Sequence, residues 1–365
     1  MAVITCNQRD KMDVKWIISA YQPGDEKQIK DLQKEIYGDE LEPEKESIDF
    51  WKWEFLDNPF GRAFINTAKV DKKVVGHYAV IPIEYKLLDK IVKAGLVVDV
   101  MTHPNYQRQG MFVSLGKSSM DWIKKNGYAF STGYPYKENV MPGHKKVGWE
   151  EVFDIDIYIV PINTKNISIA YSKNIFKQKA LNLGLKIFKI FKKYRYSSNG
   201  EITIEKLDKF PTNIENFINK IYPNFSFIQS RTPKFLKWRY ELIPNRNYDK
   251  YFIYEKNVLS GYVVVRKMKL FTLSTLFIVD ILAYNDYLFE KLLDYVYKSY
   301  KDSSIDLIAF GISPNSKIKS ILRKKRFHKS NYKFHLISYD CGSYLQLIKS
   351  NINTSYITPH DFDVI

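Results

Sequence analysis

The segment Thr102-His103-Pro104-Asn105-Tyr106-Gln107-Arg108-Gln109-Gly110-Met111-Phe112 carries the residues best suited to chemistry on an anion. A β-rich run at 96–102 leads into it. A helical pattern with Phe112, Leu115, Trp122 and Ile123 on one side leads out. Strand, tight turn and helix in that order form a phosphate-binding geometry. The first helical turn leaves backbone N–H groups unpaired, and the helix dipole adds positive potential there. Gly110 lets the main chain approach a diphosphate closely, while Gln107, Arg108 and Gln109 add donors and charge. The residues alone leave two readings open, an anion site and an ordinary strand-to-helix turn.

The elements that must position this turn occur twice. Phe50-Trp51-Lys52-Trp53-Glu54-Phe55 returns as Phe235-Leu236-Lys237-Trp238-Arg239-Tyr240, an offset of 185. Ile36-Tyr37, Pro59 and the run from Val75 to Val80 return at the same offset. Val98-Asp99-Val100 then matches Val279-Asp280-Ile281 at 181, and Gly148-Trp149 matches Arg326-Phe327 at 178. Each copy reads as strand, helix, β-rich stretch, helix and strand, which implies a mixed α/β sheet. After Asp280 the second copy has Tyr284-Asn285-Asp286-Tyr287-Leu288-Phe289-Glu290, without glycine or a Gln/Arg run. Its two acids would repel a diphosphate. One anion site is therefore expected, in the first copy.

The expected divisions are 1–160, a basic linker with a helix at 161–200, a second domain at 201–345 and a tail at 346–365. A chain of 365 residues with 45% hydrophobic and 15% aromatic residues is not a disordered one. Its net charge of +16 predicts attraction to phosphates, nucleotides, nucleic acid or an anionic membrane surface without choosing among them. The linker holds nine Lys or Arg and no acid. Its Leu181, Leu185, Phe188 and Phe191 mark an amphipathic helix, read as packed across both domains, with membrane-surface contact as the sharper alternative. Cys6 and Cys341 lie in no metal-like spacing and make no disulfide framework, so no metal is expected. The start lacks a signal pattern. The longest apolar run, near 273–282, is too short to span a bilayer and contains Asp280. A cytoplasmic chain without an integral membrane segment is the expectation.

Thr-His-Pro-x-Tyr-Gln-Arg-Gln-Gly-Met-Phe resembles the acyl-coenzyme A signature of the GNAT superfamily of N-acetyltransferases. The usual form is Gln or Arg, two residues, Gly, one residue, then Gly or Ala. Gln107 and Gly110 match, and Phe112 departs. Gly133-Tyr134-Pro135, then Asn139, then the run from Pro142 to Trp149 resemble the family's next strand, its pantetheine-contacting Asn and its closing Gly-Phe/Trp. The resemblance covers 15–155 well and 200–340 weakly. It implies an α/β (α+β) fold of two tandem GNAT-like domains. Each would be a mixed, mostly antiparallel twisted sheet flanked by helices, with a splayed central strand pair in the first. It also implies acyl-CoA as co-substrate. Pantetheine would lie between 97–102 and 128–132, against Val100, Met101, Thr102 and Asn139. The diphosphate would sit at Gln107, Arg108, Gln109, Gly110, Met111 and Phe112, and the acceptor amine would come from the other side of the sheet. Tandem chains of this size resemble N-acyltransferases of bacterial surface-polysaccharide pathways. Those act on nucleotide-linked amino sugars, such as a dTDP-linked amino-dideoxyhexose, with acetyl or short hydroxyacyl donors.

Acyl transfer to an amine needs a proton acceptor, an oxyanion donor and help for the departing thiolate. Asp99 lies beside the implied thioester and is a candidate base, although Asp280 keeps the same place in the copy without the turn. His144 stands where many relatives place a Tyr that protonates the thiolate. Glu54 and His77 become Arg239 and Tyr262 in the second copy, so the fold does not demand them. Glu54 is a third catalytic candidate, and His77 an acceptor-side one. Tyr134 and Tyr136 are read as rings for a base or sugar, and Trp53 and Trp238 as core. Two alternatives stand beside the amino-sugar reading. One is an acetyltransferase for an aminoglycoside, peptide or aminoacyl-tRNA. The other is a non-enzymatic basic protein binding nucleic acid or membrane. The favoured reading involves no stable nucleic-acid complex and leaves the oligomeric state open.

Overall fold

The computed structural model describes residues 16–135, 138–190, 201–270 and 272–362. The first half runs β1 (Ile17–Ala20), α1 (Asp25–Tyr37), α2 (Ile48–Phe55), β2 (Phe64–Val70), β3 (Lys73–Leu87), β4 (Lys90–Thr102), α3 (Met111–Lys125), β5 (Phe130–Gly133), α4 (Met141–Val147) and β6 (Glu150–Pro161). Two connector helices follow, α5 (Thr164–Tyr171) and α6 (Ile175–Ile190). The second half runs β7 (Ile202–Lys206), α7 (Ile214–Ile221), β8 (Phe227–Gln229), α8 (Pro233–Tyr240), β9 (Asp249–Glu255), β10 (Val258–Leu270), β11 (Leu273–Ala283), α9 (Asp286–Tyr300), β12 (Leu307–Ile312), α10 (Ser316–Lys324) and β13 (His328–Asp340). It closes with α11 (Leu345–Ser350) and β14 (Ser355–Tyr356).

These strands form one sheet, ordered β1-β2-β3-β4-β5-β13-β6-β12-β11-β10-β9-β7, with β8 and β14 attached beside β3. Pairing is antiparallel except for β4–β5, β11–β12 and β8–β14. Alternation along β3 sends Ala79, Ile81, Ile83 and Tyr85 to a core shared by both halves, while Tyr78 and Val80 pack under α3. Both faces of the strand are therefore buried, which its near-continuous apolar sequence requires.

The order is symmetric about its middle, and the final strands of the two halves are exchanged. β13, from the second half, lies between β5 and β6, and β6, from the first half, lies between β13 and β12. The sequence reading has each copy completing its own sheet; the ladder instead runs unbroken across the expected boundary. Trp53 and Trp238 mark the same symmetry. Their rings stack at 4.5 Å, and each indole N–H donates to the other's carbonyl oxygen, at 2.9 and 3.0 Å. A repeat that brings one residue type to an axis twice makes such reciprocal contacts possible.

Two peripheral segments differ from the sequence reading. The connector is helical, but α6 packs on α5 rather than across both halves, leaving Phe176 and Leu183 exposed. Leu181 and Leu185 are half-buried, and Phe191 lies outside the described residues. The expected tail carries α11 and β14. Ser355 to Phe362 is buried at every residue. No helix among the described residues is long and apolar enough to cross a membrane.

Removing either central tryptophan should weaken both halves together. Trp53→Ala should cost about 3–5 kcal/mol, and Trp238→Phe, which deletes one N–H and trims the stack, about 1–2 kcal/mol. Urea unfolding followed by fluorescence and circular dichroism should give one coincident transition, because the ladder is continuous. Two separate transitions would contradict the exchanged-strand architecture.

Candidate active site

β4 and β5 are paired only at Ala94–Phe130, Gly95–Ser131 and Leu96–Thr132. Beyond Leu96 they part, while β4 continues along β3 and β5 along β13. A β-bulge interrupts the β3–β4 ladder between His77 and Ala79. Asp99 lies in it with φ 49°, a left-handed conformation that is uncommon outside glycine and concentrates where function or tight packing imposes it. The opening leads to a cavity of about 270 Å³.

At one end of this cavity lies the turn singled out in the sequence. His103 caps a short 3₁₀ turn, Pro104–Tyr106, accepting from the Asn105 N–H at 3.2 Å, and its other ring nitrogen meets Glu35 at 2.9 Å. Arg108 (φ 62°) and Gly110 (φ 77°) then turn the chain through the left-handed region. Gly110 is the N-cap of α3, and no side chain caps that helix. Gln107, Arg108, Gln109 and Gly110 are exposed, and the Ser114 N–H bonds back to the Gly110 carbonyl. The N–H groups of Met111, Phe112 and Val113 precede that bond and point out of the helix start. A β-carbon at Gly110 would meet nothing within 4 Å, so glycine is there for its backbone angle. Phe112, the departure from the family pattern, has a reason. Its ring packs edge-on against His144 at 5.0 Å, and a β-carbon on Gly143 would come within 2.8 Å of it. The bulk moved from one helix is absent from the other.

The cavity brings together Asp99, Val100, Phe112, Tyr134 and His144 from the sequence candidates. Asp99 accepts from the Gln33 side-chain amide at 3.0 Å, and Gln33 accepts from Lys30 at 2.6 Å. Burial lowers the Lys30 pKa, against the pull of Asp99 and Glu54. His144 is buried, its Nδ1 has no hydrogen-bond partner among the described residues, and desolvation lowers its pKa to about 4. It is therefore a neutral imidazole at pH 7.

Other candidates lie elsewhere. Met101 is buried beyond the bulge and Thr102 half-buried, while Asn139 is exposed before α4. His77 does not face the acceptor side. It is fully buried beneath the bulge, with Nδ1 2.6 Å from the Asp99 carbonyl oxygen, and burial lowers its pKa. Glu54 is buried at a separate cavity of about 30 Å³ that also touches Trp53, Trp238 and Arg239. The Tyr134 ring is already occupied: Phe362 packs on it at 4.7 Å, and its hydroxyl lies 3.1 Å from that of Tyr85. Tyr136 lies outside the described residues. The sequence reading missed Lys30, Gln33, Tyr37 and Phe362. The repeated Ile36-Tyr37 pair was the available signal for the α1 end; nothing local marked Phe362.

The second half has the same parting of strands and a different content. β11 and β12 pair only from Thr275–Leu307 to Ile278–Phe310. The chain's own tail enters the gap. The Tyr356 hydroxyl donates to the carbonyl of Ile281 and lies 3.3 Å from its N–H; Ile281 is the counterpart of Val100. Ile357 and Ser313 exchange two further bonds, of 3.0 and 3.1 Å. Asp280 is consumed by Arg231, whose Nε and Nη2 donate at 2.9 and 3.1 Å, with Tyr262 donating at 2.6 Å. At the helix start, Asn285 caps α9 by accepting from the Leu288 N–H at 2.9 Å. Tail and cap thus fill the places that stay open in the first half. The shared aspartate has different work in each: Asp280 holds Arg231, while Asp99 lines the cavity.

A split parallel pair, a bulged strand beside it and an uncapped helix at its mouth thus leave a cavity with unpaired backbone donors at its entrance. Residues 18–152 match the sequence profile of the Acetyltransferase (GNAT) domain, and the chain is an acyl-CoA-dependent N-acyltransferase. No curated protein sequence matches it. Among solved structures, the fold is similar to a GCN5-related N-acetyltransferase from Anabaena variabilis, with TM-score 0.65 and 12% identity, covering 94% of this chain and 85% of that one. It is also similar to Saccharomyces cerevisiae N-myristoyltransferase with bound myristoyl-CoA, with TM-score 0.62 and 12% identity over 95% and 85%. A GCN5-related N-acetyltransferase from Kribbella flavida gives 0.58 and 9% over 91% and 73%. At these identities the likeness is one of fold.

Two measurements check this site. Gly110→Asp places a negative charge and a disfavoured backbone at the helix start, and CoA affinity by calorimetry should fall at least about tenfold. Gly110→Ala carries only the left-handed cost of about 1 kcal/mol. The second concerns His144. Its folded pKa of about 4 lies below the unfolded 6.5, so the unfolded chain takes up a proton first. The stability due to its neutral form is complete above pH 6.5 and is lost as pH falls toward 4. His144→Gln should remove roughly 2–3 kcal/mol of that decline, read as the wild-type-minus-variant difference in unfolding free energy across the window.

Proposed function

We propose that the chain transfers an acyl group from acyl-CoA to the primary amine of a nucleotide-linked amino sugar. The observation that carries this reading is the cavity beside β4. One end reaches Phe112 and His144 next to the uncapped start of α3, and the other reaches Tyr37, Glu40 and Glu42 between α1 and α2. Donor and acceptor can therefore meet at Asp99 from opposite sides. The amine nitrogen attacks the thioester carbonyl carbon and forms the C–N bond. The oxyanion gathers at a backbone N–H of the bulge near Met101. The C–S bond breaks and its electron pair leaves on the CoA sulfur. Asp99, positioned by Gln33, takes the ammonium proton, which is then passed to the thiolate, giving amide and free CoA. His144, neutral and buried, donates a hydrogen bond to the departing sulfur.

The acceptor class draws support from a groove of about 660 Å³ that shares Glu40, Leu41 and Glu42 with the cavity. One wall carries Arg266, Lys267 and Lys269. Arg266 is tied to Glu42 and Glu44, at 3.1 and 3.2 Å; Lys267 and Lys269 are exposed, the Lys267 Nζ lying 5.4 Å from the centre of the Tyr300 ring. Exposed lysines beside an amine site suit an acceptor that carries a diphosphate. The opposite wall, with Asp39, Glu40 and Glu44, favours a second reading, a polycationic acceptor such as an aminoglycoside or basic peptide.

Thiol release from acetyl-CoA with nucleotide-linked amino sugars, aminoglycosides and peptides separates the two. On the first reading, Lys267→Ala with Lys269→Ala raises KM for the nucleotide-linked acceptor and leaves CoA affinity intact. Asp99→Asn should lower kcat by about a hundredfold or more. Turnover confined to polycations would replace the acceptor assignment, and an undiminished kcat would remove Asp99 as the base.

A further inference from the structure

Two cavities meet at a wall that Leu96 and Phe362 share. The larger, which holds the implied thioester near Asp99 and Val100, ends inward on Leu96, Tyr134 and Phe362. The smaller lies on the other side of the same wall, among Ile81, Ile83, Trp53 and Trp238, with Glu54 and Arg239 also on its lining, and it too touches Leu96 and Phe362. Leu96 is where β4 rejoins β5, so its backbone is held in the sheet. Phe362 comes from the tail, and its ring packs 4.7 Å from Tyr134 and 4.9 Å from Phe334.

The ring is held in place by contacts that do not involve the first half's chemistry. Arg239 donates to the carbonyls of His360 and Phe362, at 3.4 and 3.1 Å. The turn just before it is closed by a reciprocal cap between Thr358 and Asp361. Asp361 is in turn paired with the buried Arg231 at 3.4 Å. Phe362 is 2% exposed. A rigid aromatic ring at the inner end of a reactive cavity, with a small cavity of about 30 Å³ behind it, is a stop. β4 lines the cavity inward from Val100 to Leu96. An acyl chain running inward along that wall meets Phe362.

We propose that Phe362 sets the length of acyl chain the enzyme accepts, and that the small cavity behind it is an inner acyl-chain subsite closed in this sequence. The inference rests on the acyl-CoA reading of the site. It assigns to the second half a part in donor choice, delivered through the tail that fills its own split. A short acyl group fits in front of the ring. A longer one requires the ring's space and then continues past Leu96 toward Ile81 and Ile83.

The test is binding, which needs no acceptor. Dissociation constants for CoA, acetyl-CoA, butyryl-CoA, hexanoyl-CoA and octanoyl-CoA are measured by calorimetry on the full chain and on Phe362→Leu, Phe362→Ala and Phe362→Trp. The expected result is a wild-type preference for short chains. In Phe362→Leu and Phe362→Ala, hexanoyl-CoA should gain about tenfold relative to acetyl-CoA, the value of two further buried methylenes. Phe362→Trp should shift the preference the other way. Phe362→Leu keeps a packed apolar side chain, and its affinity for CoA itself reports an intact fold. A chain-length profile unchanged in Phe362→Leu, with CoA binding retained, overturns the stop while leaving the acyl-CoA reading in place. A wild-type chain that binds none of the five compounds overturns both.

Discussion

Two parallel strands that part leave main-chain N–H and C=O groups facing each other across a gap, and a folded chain must give such groups partners. This requirement arises twice in the molecule, once beyond Leu96 and once beyond Ile278. It is met in two ways. In the second half the tail supplies the partners, with Tyr356 on the backbone of Ile281 and Ile357 on Ser313. In the first half the gap is a cavity, and the donors at its mouth, on the first turn of α3, have no side-chain cap. The same backbone geometry is filled by the tail in one place and left as a cavity in the other.

The exchange of β6 and β13 makes this division stable. Each half borrows its last strand from the other, so a parted pair is flanked by a strand it does not own. The tail can then run from the filled gap to the open one. Arg231 is fully buried and would be costly without partners; Asp280 and Asp361 supply them. A buried charge held in this way gives direction to the segment that carries Phe362 to the cavity wall.

The asymmetry between equivalent residues follows from these two fillings. Glu54 corresponds to Arg239, and Arg239 is needed to hold the carbonyls of the tail. His77 corresponds to Tyr262, and both bond to the equivalent aspartate, one at its backbone and one at its carboxylate. Substitution between copies therefore marks different partners as often as different chemistry. His77, read as an acceptor-side residue because its counterpart differs, is buried under the bulge and does not line the cavity.

By itself the sequence determined what depends on near neighbours. The turn at 102–112, its missing counterpart after Asp280, the repeat and the alternating and helical patterns all rest on short-range sterics and hydrogen bonding. They placed the glycine turn before α3, the mixed sheet and the aspartate on β4. Tertiary structure decided what depends on residues far apart in the chain. The exchange of β6 with β13 is a choice of partner between two similar strands, and local sequence is nearly indifferent to it. The place of Phe362 depends on Arg239, Tyr134 and Phe334, each distant from it along the chain. Burial makes the final distinction between Asp99 and Asp280. The residue type is the same, but Arg231 encloses one and a cavity faces the other.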